Sequence, residues 1–182
     1  MKMAKKLLAL VLTGVMAMSV LTGCGSGSTA SRQAAGELEG MLKKANPKAT
    51  VEVGSETLAK TAIDVATEKG KLIQPEQSAK SSIVAALKNA NKDEYVWYAY
   101  FKAEGKDETD KAQAISKVVL IGDGNAIDDT GALNGLSFKN KGYNPGDEFV
   151  LSMKEFTVKE TSGGKTTDVV YIMAVVTCKP VK

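Results

Sequence analysis

Near the end of the chain two apolar runs, Phe149–Val158 and Val169–Cys178, flank Thr161-Ser162-Gly163-Gly164-Lys165. Two adjacent glycines between β-branched segments are a strong local signal for a β-hairpin, because glycine takes positive φ freely at both turn positions. Val169–Val176 is apolar at successive positions, so both of its faces need cover, and that suits a central place in a sheet. In the first run Phe149, Leu151 and Met153 alternate, and the pattern then jumps to Phe156 and Val158. A bulge or twist near Lys154 would keep both sets on one face.

A third strand is expected at Tyr95–Phe101 (YVWYAYF), aromatic and β-branched on both sides. Ala49–Val53 is a shorter alternating piece, and Val118–Ile121 and Leu136–Lys139 read as further short strands. Ahead of Tyr95 the apolar period becomes helical. Ser31 suits the N-cap of a helix carrying Ala34, Ala35, Leu38, Met41 and Leu42, stopped by Asn46-Pro47. Ser55 opens a second helix through Leu58, Ala62, Val65 and Ala66, with Gly70 as its left-handed cap. Pro75 fits the first turn of a third, with Ala79, Ile83 and Leu87 on one face. Helices first and antiparallel strands later define an α+β domain: two or three N-terminal helices packed on one face of a curved, mostly antiparallel sheet that ends in a long C-terminal β-hairpin.

The first residues follow a different logic. Lys2, Lys5 and Lys6 precede the apolar run Leu7–Val20, which is too short to span a bilayer as a helix and suits the core of an export signal. The run ends in Leu21-Thr22-Gly23-Cys24, which resembles the lipobox of bacterial lipoproteins. Basic start, apolar run and lipobox occur in the order that family requires. The resemblance implies a diacylglyceryl group on the Cys24 thiol, cleavage between Gly23 and Cys24, and a protein held at the extracytoplasmic face of the cell membrane. It divides the chain into a signal peptide (1–23), a lipidated cysteine with a flexible Gly/Ser tether (24–31) and one ectodomain (32–182). With Cys24 acylated, Cys178 has no partner for a disulfide and is expected as a buried, inert thiol.

Composition narrows what the ectodomain can do. The three early lysines account for the whole excess of 24 basic over 21 acidic side chains, so the exported part is formally neutral and lacks the pull that nucleic acid exerts on basic proteins. There is no histidine, which removes Ser-His-Asp and Cys-His catalysis and His-ligated metals. Arg32 is the only arginine. No Walker loop, dinucleotide fingerprint or Cys-x-x-Cys pair occurs, and no cofactor is implied.

Two groups could still carry a ligand. Asp123, Asn125, Asp128 and Asp129 offer oxygen atoms on a Gly-rich stretch that could wrap Ca²⁺, although Ile127, Asp128 and Asn134 depart from an EF-hand begun at Asp123; hydrated turn residues explain the same pattern. Tyr95, Trp97, Tyr98 and Tyr100 could stack a sugar or a peptide, and the same run can equally supply the core. The long Gly122–Asp147 stretch suits a binding loop. Adjacent carboxylates at Asp93-Glu94 and Asp128-Asp129, and abundant Ser and Lys, leave an envelope hydrolase as an alternative. A purely structural envelope component is a further one. The expected function is a non-enzymatic binding or interaction module that meets an extracytoplasmic ligand, glycan or protein.

Overall fold

The computed structural model describes residues 28–121 and 132–182. Its elements are α1 (Thr29–Leu42), β1 (Thr50–Val53), α2 (Thr57–Ala66), β2 (Thr67–Glu68), β3 (Lys71–Leu72), α3 (Glu76–Ala90), β4 (Tyr95–Lys102), α4 (Glu108–Ile121), α5 (Gly135–Lys139), β5 (Asn144–Ser162) and β6 (Lys165–Val181). The class is α+β. Strands run in the order β1-β5-β6-β4, with β1 parallel to β5 and the other pairs antiparallel. Residues 1–23, expected as a signal peptide, Cys24, and the residues Asp123, Asn125, Asp128 and Asp129 lie outside the described residues.

The β5–β6 hairpin dominates. Gly163 and Gly164 both take positive φ (57° and 78°), the mirror-image turn whose twist matches its strands, and Ser162 pairs with Lys165 across it. From there to Phe149–Cys178 the register is unbroken, so the bulge expected at Lys154 is absent. The only register shift lies between Pro145 and Phe149, where Gly146 passes close to the Lys179 carbonyl. A Cβ at Gly146 would stand 3.1 Å from that oxygen.

The change of parity along β5 has another cause. Helices cover both faces of the sheet, not one as the sequence pattern suggested. On the first face α1 and α4 bury Leu38, Leu42 and Ile115 against Trp97, Phe149, Leu151 and Val176. On the second, α2 and α3 bury Ala62, Ile83 and Leu87 against Val96, Tyr98, Met173 and Val175. Phe149, Leu151 and Met153 point into the first core, while Phe156 packs on the second and Val158 is buried on the same side, so a straight strand satisfies both sets. Each large aliphatic side chain so buried is worth roughly 1.5–3 kcal/mol.

Local chemistry sets the helix ends. Ser28, not Ser31, caps α1: its Oγ accepts from the Ser31 amide at 3.2 Å, and Ser31 itself is buried. At the start of α2 the cap comes from the sheet, where the buried Ser152 Oγ accepts from the Ala59 amide at 3.1 Å. Helix α2 ends at Ala66, four residues before Gly70; Lys69 and Gly70 instead form the turn of the small β2–β3 hairpin, both at positive φ. The Gly70 carbonyl accepts from the Lys159 amide at 2.8 Å and holds that hairpin against β5. Asp107 and Asp110 cap each other's amides at the start of α4.

Val118–Ile121 is the last turn of α4 rather than a strand, because Ala112, Ile115 and Val118 fall three apart on its buried side and that stripe outweighs the β-branched preference. Leu136–Lys139 is likewise helical, within α5.

Candidate functional site

Strand β4 distributes its aromatic residues between the two faces. Tyr95 and Trp97 belong to the first core, stacked with ring centroids 5.7 Å apart and bordered by Phe138 and Phe149. The Tyr95 hydroxyl donates to the Tyr143 carbonyl at 2.9 Å. Tyr98 is buried in the second core, and burial holds its phenol far above the usual tyrosine range. Among the described residues the Trp97 indole N–H and the Tyr98 hydroxyl have no hydrogen-bond partner. The void that Trp97 borders with Ile115, Val118 and Ala174 has no room for a water molecule. These three residues build the interior and offer no free ring face.

Tyr100 is different. It lies on the second face near the Lys102 end of β4 and is only half-buried. There Phe156, Tyr171 and Lys102 form one cross-strand row over β5, β6 and β4. Ring centroids are 5.8 Å apart for Phe156 and Tyr171 and 6.5 Å apart for Tyr100 and Tyr171. The Lys102 ammonium stands 5.8 Å over the Tyr171 ring and donates to Glu160 at 2.7 Å. Tyr171 donates to the other Glu160 oxygen at 2.6 Å. A second carboxylate, Glu76 on the first turn of α3, accepts from the Tyr100 hydroxyl at 3.2 Å and from Lys80 at 3.1 Å.

Two Tyr–Glu–Lys sets thus surround one aromatic strip. Lys80 and then Tyr100 hold the Glu76 carboxyl below its ordinary value, and Lys102 and then Tyr171 do the same for Glu160. Burial, reinforced by Glu76, pushes the Tyr100 phenol up to about 12; burial, reinforced by Glu160, raises Tyr171 further. At neutral pH the strip therefore carries carboxylates and un-ionised phenols beside the Lys80 and Lys102 side chains. It can stack a flat or ring-shaped group and exchange hydrogen bonds with its edges.

Of the four aromatic residues expected to meet a ligand, the structure brings Tyr100 alone to an accessible site. It joins Tyr100 to Phe156, Tyr171, Lys102, Glu160 and Glu76, which the sequence reading did not single out. One signal was available: on paired strands the Tyr100 side of β4 is the Tyr171 side of β6. Cys178 is buried with its thiol pushed up to about 11 by burial, as expected of an inert cysteine. Asp93 is exposed, and Glu94 accepts from Asn91 at 2.6 Å. Among the described residues no three His, Cys, Asp or Glu side chains are grouped to share a metal ion, and no helix is long and apolar enough to cross a membrane. No family model, curated protein or solved structure matches the chain.

Proposed function

We propose that the protein is a membrane-anchored lipoprotein of the extracytoplasmic face, held by lipid on Cys24, whose ectodomain binds a glycan or a protein segment through the strip of Tyr100, Tyr171 and Phe156. One observation carries the binding reading: Tyr100 and Phe156 are only partly buried, lie beside the buried Tyr171 ring, and are framed by Lys102, Glu160 and Glu76, so a flat group can stack there and hydrogen-bond at its edge. The anchor rests on the ordered run of basic residues, apolar stretch and lipobox. Helix α1 begins at Thr29, so five Cα–Cα steps from Cys24, at most about 18 Å, join lipid to folded body. This is a shorter tether than the 24–31 stretch alone suggested.

Intact mass of the membrane-extracted protein tests the anchor. The expected species starts at Cys24 and carries a diacylglyceryl adduct, and Cys24→Ala releases the chain from membranes. A Cys24→Ala chain that stayed wholly membrane-bound would overturn it.

A further inference from the structure

The outer side of the α1/α4 layer sets exposed cations beside an exposed apolar side chain. On that layer Lys43 pairs with Glu39 and Lys111 with Glu108, as Lys60 does with Asp64, Lys80 with Glu76, Lys154 with Glu56 and Lys159 with Asp168 elsewhere. Arg32 and Lys44 on and just past α1, and Lys117 on α4, are exposed and make no ion pair among the described residues. Between the ends of the two helices lies a groove of about 460 Å³, floored by Met41 and Ala45 and edged by Lys44, Lys117 and Leu120. Leu120 is 47% exposed, among the most exposed large apolar side chains of the molecule. Apolar residues between unpaired cations are the pattern of a surface that meets acidic lipid.

The tether places that surface within reach. Met41 lies about 18 Å along the helix axis from Thr29, and the link back to Cys24 is no longer than that. A helix laid flat on the bilayer brings both its start and the groove to the headgroups. We propose that the outer face of the α1/α4 layer rests on an anionic lipid surface, Leu120 and Met41 entering the headgroup boundary and Lys44 and Lys117 meeting acidic headgroups. The inference builds on the anchored reading above. It turns the opposite layer, with the Tyr100 strip, away from the membrane.

The full chain, reconstituted from membranes into vesicles of neutral lipid or of neutral lipid with one third phosphatidylglycerol, tests this. A spin label is carried at Leu120→Cys, or at Lys60→Cys on α2 as a control, with buried Cys178 unreactive. On acidic vesicles the Leu120 label becomes accessible to oxygen dissolved in lipid and shielded from an aqueous nickel chelate, and the Lys60 label stays aqueous. Lys44→Glu with Lys117→Glu returns the Leu120 label to water, since each cation near an acidic surface is worth about fivefold in partition. Equal aqueous exposure of both labels on acidic vesicles, or indifference to the charge reversal, overturns the proposal. Intact mass of the same sample reads the anchor separately: a lipidated chain with an aqueous Leu120 label refutes the docked face and leaves the anchor standing.

Discussion

The two faces of β4 differ although their residues alternate along one strand. On the first face α1 and α4 cover Tyr95, Trp97 and Ala99, all of them buried. On the second, Val96 and Tyr98 are equally buried, but α3 begins only at Glu76 and the sheet continues past it, leaving Tyr100, Phe156 and Lys102 partly in water. One residue type therefore serves as core at position 98 and as surface at position 100. What separates them is where a neighbouring helix starts, a property of the fold that local composition does not encode.

Substitutions along the strand should expose this difference. Trp97→Ala removes the largest ring of the first core and should cost about 3–5 kcal/mol in urea unfolding, whereas Tyr100→Ala at the wet end should cost about 1 kcal/mol and leave the fold intact. Near-equal losses would erase the distinction. Ser152→Ala takes away the hydroxyl that caps α2 from within the sheet and should cost about 1 kcal/mol; thermal melting of the second face would register it. Gly164→Ala forces a side chain into positive φ and should cost about 1–2 kcal/mol, with hydrogen exchange rising first at the tip of the hairpin.

The smallest effect concerns pH. The carboxyls of Glu76 and Glu160 are held below their ordinary value of 4.5 in the folded chain, so the stability they contribute is complete above that pH and is lost as pH falls through their lowered values. Glu160→Gln should flatten the acid limb of the stability curve and change little at pH 7. Glu76 is exposed and Glu160 partly so, and solvent screens both, so the change is slight. A steeper acid limb in the variant would mean that Glu160 opposes folding.

Much of this architecture could be read from residue patterns, and the failures share a cause. The Gly163-Gly164 turn, the central place of β6 and the three N-terminal helices follow from turn chemistry and apolar period, which are local. Val118–Ile121 looked like a strand because its four apolar residues were too short a window to show the helical stripe begun at Ala112. The Lys154 bulge was inferred by assuming one buried face, and it vanishes once both faces are covered. Cap positions also shifted: Ser28 and Ser31 are both competent caps, and only the packing of Ser31 inside decides between them. The aromatic strip was half visible, through Tyr100, since its other members come from strands more than fifty residues away.

The sharpest test follows chemical shifts of labelled aromatic residues while cell-wall oligosaccharides and extended peptides are titrated in. Binding should move Tyr100, Phe156 and Tyr171 together, leave Trp97 and Tyr95 unchanged, and weaken on Tyr100→Ala. Saturable binding that moves other regions and leaves these three rings silent would contradict the assignment of the second face as the recognition surface.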